Sequence, residues 1–195
     1  AYYDSLRPNP AAIAEQLVRG ALIDDRRLQQ ALGNPLPRVA VITPYYKESV
    51  AKLRQCHDSV LAQSEPCLHV LVADGHPRRR INHWRAEHIR LPQSHGDIGS
   101  TPRLIGSYHA IGLGVDAVAF LDADNWYGPD HIANLLTSMD QHQADFVSSS
   151  RTLCRMDGTV MGPCPLTDPD HFIDTNAMLF GRGSFHLLHH WVLMP

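Results

Sequence analysis

The chain has no apolar run approaching the length of a bilayer span, and neither sign of charge dominates it. The first absence excludes helical membrane spans. The second, a formal net charge of -3 over 195 residues, removes any global electrostatic reason to expect a nucleic-acid partner. The opening residues, AYYDSLRPNP, lack the basic-then-apolar order of a secretory signal, so the cytoplasm is the expected location. Cysteine is scarce: Cys56, Cys67, Cys154 and Cys164 form no CxxC pair and have no matching histidine spacing. That excludes a zinc-ribbon type of site and a disulfide framework, and the four read as reduced thiols. Histidine is plentiful, at 13, but scattered.

What is present describes an ordinary globular protein, with 44% hydrophobic and 19% charged residues and a length suited to one well-buried domain. Ile13, Leu17, Leu22, Leu28 and Leu32 recur with helical rhythm among charged neighbours, until NPLPR at residues 34–38 breaks it. Residues 1–37 are therefore expected to form an N-terminal helical extension, a candidate surface for homo-oligomer contact. Residues 38–195 are expected to form the main α/β domain. The last residues, LHHWVLMP, bring no closing element, which suggests a chain that continues past Pro195.

Val39 to Thr43 is a β-branched run of strand length closed by Pro44. A helical pattern from Glu48 carries Leu53, Val60 and Leu61, and a second apolar run, Leu68 to Ala73, comes after it. A strand-helix-strand unit crosses over right-handed and leaves both strand ends at one sheet edge. A basic turn, Arg78 to Arg80, and an expected short helix from Ile81 to Ile89 come next. Glycines, Ser100, Thr101 and Pro102 then start a helix with Arg103 in its first turn. It leads into VAFLDADNWYG, where a buried strand runs into Asp122 and Asp124. Beyond it the pattern reads as a helix from Pro129 to Met139, a strand from Phe146 to Leu153, a hairpin turn at Asp157-Gly158, a Pro-rich loop from Gly162 to Pro169, and a late strand, HFIDTNAMLF, with Asp174, Thr175 and Asn176 in its middle.

Two carboxylates on one side of a strand end call for a cation, and a hard divalent ion shared with diphosphate oxygens, Mg²⁺ or Mn²⁺, meets that need. A polar turn that merely ends the strand is the plainer alternative. The other strand ends, Thr43-Pro44-Tyr45-Tyr46-Lys47-Glu48 and Asp74-Gly75, open on the same crevice. In order and spacing, VAVITPYYKE, VLVADG, the TPR segment and VAFLDADN resemble the nucleotide-sugar half of family 2 glycosyltransferases with the GT-A fold, over roughly Arg38 to Phe180.

The resemblance implies a Rossmann-like, mostly parallel sheet flanked by helices and a metal-dependent, inverting transfer of sugar from a nucleoside-diphosphate sugar, UDP-linked by expectation, to an unknown acceptor. It assigns Thr43, Pro44, Tyr45, Glu48, Asp74, Arg103, Asp122 and Ala123 to the nucleotide. Asp124 becomes the direct metal ligand, Asp122 the ligand of ribose or metal-bound water, and His189 or His190 a candidate to complete the metal shell. The family's usual base motif is absent. Asp174 is the best carboxylate for that role, either as base or as a group positioning the acceptor. Two competing readings are a non-catalytic nucleotide-sugar module and a phosphatase of the haloacid dehalogenase type. The phosphatase fits poorly, because its motif belongs on a first strand and is followed by Thr.

Overall fold

A computed structural model describes residues 36–155, 157–166 and 170–193. The expected N-terminal helices, and any self-association through them, lie outside the described residues. The elements are β1 (Val39–Tyr45), α1 (Val50–Leu61), β2 (Cys67–Asp74), a 3₁₀ turn (Arg79–His83), β3 (Glu87–Leu91), α2 (Ser100–Leu113), β4 (Ala117–Phe120), α3 (His131–His142), β5 (Phe146–Ser148), β6 (Thr152–Cys154), β7 (Val160–Pro163), a 3₁₀ turn (Thr175–Ala177), β8 (Met178–Gly181) and a 3₁₀ run (Arg182–Leu193).

The main sheet has six strands in the order β3-β2-β1-β4-β8-β5. β3, β2, β1 and β4 are mutually parallel, and β8 runs antiparallel to both β4 and β5. The first crossover goes from β1 outward to β2, whereas the one through α2 returns from β3 to β4 across β1. The order therefore reverses between β1 and β4, which is where parallel sheets open a ligand crevice at their C-terminal edge.

Strand parity fixes the two faces. Ala40 and Ile42 pack with Val70, Val72 and Ile89 beneath Leu104 and Ile105 of α2. Val39 and Val41 turn the other way, against Cys56 and Val60 of α1 and Ile132 and Leu135 of α3. With both faces covered, these strands read as near-continuous apolar runs, as Val39 to Ile42 and Leu68 to Ala73 do.

Several expected elements differ. The segment from Ile81 to Ile89 is not a helix; it splits into the 3₁₀ turn and β3, whose Glu87-His88-Ile89-Arg90-Leu91 alternates buried with half-buried and takes up the sheet edge beside β2. The expected strand from Phe146 to Leu153 is two short strands in different sheets, because β6 pairs only with β7 in a separate two-stranded hairpin around Asp157-Gly158. That hairpin also absorbs the start of the expected loop at Gly162. In HFIDTNAMLF only Met178 to Phe180, the start of β8, is strand, and Thr175 and Asn176 precede it in a 3₁₀ turn capped by the Asp174 side chain, which accepts from the Asn176 N–H.

Helix α2 sits unusually close to the sheet at Gly106, where a Cβ would come 2.6 Å from Ile42 Cγ2 and 2.9 Å from Val72 Cγ2. Gly106→Ala gains about 1 kcal/mol of helix propensity. It also overpacks the interface at a typical cost of about 1–3 kcal/mol, so it should lower stability on balance, contrary to the usual rule for glycine in a helix. Urea unfolding with equal m-values for the variant and the parent checks this, and an unfolding midpoint at or above the parent's would show that α2 can lift off freely.

Candidate active site

β1 and β2 pair up to Tyr45↔Ala73, but β1 and β4 pair only up to Ile42↔Phe120. The end of β1 therefore projects past β4, leaving a notch over which the Asp122–Asp124 turn folds; that turn is closed by the Asn125 N–H donating to the Asp122 carbonyl. The pair thus sits on a turn after the strand rather than within it. The notch is a cavity of about 490 Å³. Its walls come from the end of β1 and the loop after it (Pro44, Tyr45, Tyr46, Glu48), from Asp74, from the 94–99 loop, from Pro102 and Arg103 of α2, and from Asp122, Ala123 and Asp124.

Of the residues assigned to the nucleotide and the metal, Pro44, Tyr45, Glu48, Asp74, Arg103, Asp122, Ala123 and Asp124 all line this cavity. Thr43 does not. It shares the parity of Val39 and Val41, so its hydroxyl points toward α1, where it lies 2.9 Å from His69 Nε2 and is fully buried. His189 and His190 also lie elsewhere, tilted against each other on the terminal 3₁₀ run rather than lining the cavity. Tyr45 lines the wall but its ring is 2% exposed. Its hydroxyl lies 2.7 Å from His88 Nε2 and accepts from the Arg78 N–H, and burial pushes its pKa up to about 12. The more exposed aromatic ring of the wall is Tyr46, 40% exposed, set edge-on to His76 and with Lys47 Nζ 4.6 Å from its ring centroid. Glu48 does not cap α1, a task done by Ser49; it accepts from the Tyr46 N–H at 2.7 Å and so fixes the loop that presents that ring.

Asp74 is 6% exposed and anchors the opposite wall. Its carboxylate accepts from the Ser94 hydroxyl and from the backbone N–H of His95, both at 3.1 Å, and lies 2.7 Å from His95 Nδ1. The neighbouring Gly75 has φ +76°, and a Cβ there would meet Ser94 N at 2.5 Å, so the Asp-Gly pair lets the 94–99 loop come down onto the end of β2. This loop is the part of the site that the motifs do not reveal. It carries Gly96, Ile98 and Gly99 at positive φ, and Ile98 is 95% exposed. The clustered glycines around Asp97 are its only signal in the sequence.

Asp122 and Arg103 form the charged floor. Arg103 Nη2 donates to Asp122 Oδ1 at 2.5 Å, and Nη1 donates to the Ile98 carbonyl at 2.9 Å. Asp124 is exposed, and its carboxylate makes no hydrogen bond or ion pair among the described residues. No group of three or more His, Cys, Asp or Glu that could hold a metal occurs among the described residues. The donor set is therefore not a protein cage. It fits Mg²⁺ or Mn²⁺ in the manner of hard ions that take one or two carboxylates and complete their shell with substrate phosphate and water.

Asp174 does not line this cavity. It pairs with Arg151 and borders a small neighbouring pocket with Ser148, Ser149 and Phe172.

Beneath the notch, Thr43, His69 and His57 form a buried chain, with His57 Nδ1 and His69 Nδ1 2.8 Å apart and the His57 ring stacked on Trp84. Burial lowers His57 to about 4 and puts His69 well below its ordinary value. Burial likewise lowers His88 and His131 to about 4. These groups stay neutral in the folded chain while the unfolded chain binds protons below about pH 6.5. Their contribution is thus fully present above that pH and is lost as pH falls toward 4. The urea midpoint should drop steadily as pH falls from about 6.5 toward about 4. A flat midpoint over that window would mean that the histidines take up protons without unfolding.

Comparison with known proteins bears on the family and the fold. The succinoglycan biosynthesis protein ExoW of Rhizobium meliloti (strain 1021) is 32% identical over 127 residues, covering 60% of this chain and 39% of that protein. The chain thus spans about two fifths of the curated relative it matches. Among solved structures, S. aureus TarS 1-349 aligns with TM-score 0.56 at 14% identity, over 74% of this chain and 47% of that one. The mannosyltransferase PcManGT from Pyrobaculum calidifontis, in complex with GDP-Man and Mn²⁺, aligns with TM-score 0.54 at 17% identity, over 92% and 56%. At these identities the structures establish the fold, which is GT-A. The family model for glycosyl transferase family 2 matches residues 40–193, and the chain belongs to that family.

Proposed function

We propose that the notch binds a nucleoside-diphosphate sugar, with UDP as the favoured nucleotide, and that the chain transfers the sugar to an acceptor in a metal-dependent, inverting reaction. The observation that carries this is the convergence of Asp74, Arg103, Asp122 and Asp124, from distant parts of the chain, on one cavity at the switch point of the sheet. A volume of about 490 Å³ lies within the usual range for small-molecule sites. TarS 1-349 has been solved in complex with UDP, and PcManGT with GDP-Man and Mn²⁺, so the fold accommodates both nucleotides.

The roles come from the walls. Tyr46 offers a ring face to the base. Asp74 offers a carboxylate edge, for which an imide N–H competes with the His95 ring. Arg103 faces the diphosphate, and Asp124 with the outer oxygen of Asp122 would hold Mg²⁺ or Mn²⁺. When bound, that ion supplies charge stabilisation to the departing diphosphate. The competing reading, a module that binds the donor without transferring it, draws support from Asp174 being committed to Arg151.

Calorimetry separates metal-linked binding from simple nucleotide binding: UDP should bind far more tightly with Mn²⁺ than with EDTA, and equal affinities would count against the metal site. Because Asp124 makes no hydrogen bond or ion pair among the described residues, Asp124→Asn should leave the melting temperature level or slightly higher while lowering UDP-sugar turnover, including slow hydrolysis, by orders of magnitude. A variant that melts much lower yet keeps its activity would make Asp124 a turn residue. Binding with no turnover at all in the parent would select the module.

A further inference from the structure

Asp122 is held from the side opposite Arg103 by a residue to which neither the motifs nor the comparisons assign a role. Asn176, in the turn before β8, accepts from the Asp122 backbone N–H through Oδ1 at 2.6 Å. Its Nδ2 donates to Asp122 Oδ2 at 3.1 Å and to Asp174 Oδ1 at 2.7 Å. One amide thus grips Asp122 at both its main chain and its carboxylate, and both of its amide protons are used on carboxylates.

The grip has its own support. Asp174 caps the turn through the Asn176 N–H at 2.9 Å and is itself neutralised by Arg151. The His131 ring stacks on Tyr127 at 4.1 Å. Tyr127 in turn donates its hydroxyl to the Phe120 carbonyl at the end of β4. The turn carrying Asn176 and the turn carrying Asp122 are thereby locked to one another, although 54 positions separate the two residues in sequence.

We propose that Asn176 is a positioning residue that sets the rotation of the Asp122 carboxylate, keeping Oδ2 from joining Oδ1 on Arg103. Without it, the carboxylate is free to swing into a two-pronged pair with the Arg103 guanidinium, a geometry that arginine and carboxylate favour. That pairing would commit both Asp122 oxygens to Arg103, leaving neither for a cation, and would tie up the guanidinium that the donor-site reading turns toward the diphosphate. The inference rests on the donor-site reading and adds to it a residue outside the cavity wall.

The experiment is UDP calorimetry with Mn²⁺ and with EDTA on the parent, Asn176→Ala, Asn176→Asp and Arg151→Met, each checked for its melting temperature. The readout is the ratio of the two dissociation constants, which a merely structural loss of folded protein does not move. Losing an outer partner of a metal ligand typically costs about 10–100-fold in metal affinity, so in Asn176→Ala the enhancement by Mn²⁺ should shrink by that factor. Affinity in EDTA should change little. Asn176→Asp keeps the volume and the acceptor for the Asp122 N–H but loses the Nδ2 donor; it should show the same loss and covers the case in which the alanine variant folds poorly. Arg151→Met removes the support of Asp174 while leaving both bonds to Asp122, so it should lower the melting temperature and keep the enhancement. An unchanged ratio in both Asn176 variants overturns the assignment while leaving the donor site standing. A parent with no Mn²⁺ enhancement overturns the metal-linked donor reading, and this inference with it.

Discussion

The geometry of the site depends on a difference in strand length. β1 is paired on one side up to Tyr45 and on the other only up to Ile42, so its last residues offer one unpaired edge at the centre of a parallel sheet. Unpaired backbone in a buried position is costly, and here the turn carrying Asp122 and Asp124 folds over the notch in place of another strand. The Leu121 N–H continues the ladder onto the Ile42 carbonyl, and the chain then leaves the sheet at Asp122. That departure is what delivers two carboxylates to the cavity instead of two more ladder residues.

The acidic groups gathered there would repel one another in a low-dielectric notch if left alone. The chain offsets this in three ways. Asp74 receives donors from one loop, Asp122 is shared between Arg103 and Asn176, and Asp124 is left to water. Of the three, Asp124 alone has its charge uncommitted among the described residues, which makes it the side chain readiest to accept an incoming cation. The division also separates tasks: the most buried carboxylate organises a wall, and the most exposed one remains available.

Much of this is legible in the residues. Apolar runs ending in Pro44, Asp74 and Asp122 locate three of the four parallel strands, and the crossover rule brings their ends together at one edge. The mismatches have identifiable physical causes. Thr43 adjoins Pro44 and so belongs to the motif that faces the cavity, yet period-two alternation sends its side chain to the face of Val39 and Val41. β3 is hard to read because Glu87, His88 and Arg90 are unusual strand residues. Glu87 is tolerated because its carboxylate lies 2.9 Å from His109 Nε2 of α2, a partner 22 positions away that no local pattern reveals. The Asp174-Thr175-Asn176 trio is anomalous inside a strand, and it is a turn. Its hydrogen bonds to Asp122 are long-range and carry no periodic signature.

The close seat of α2 at Gly106 has a consequence beyond packing. Arg103 lies one turn earlier on the same helix, so the distance between its guanidinium and the Asp122–Asp124 turn is gauged by how near the helix rides to Ile42 and Val72. Those two side chains act as a spacer. The volume of hydrocarbon in the middle of the sheet thereby sets the reach of a charged group at its edge, and drift in core residues could retune the charge balance of the cavity without altering any residue that lines it.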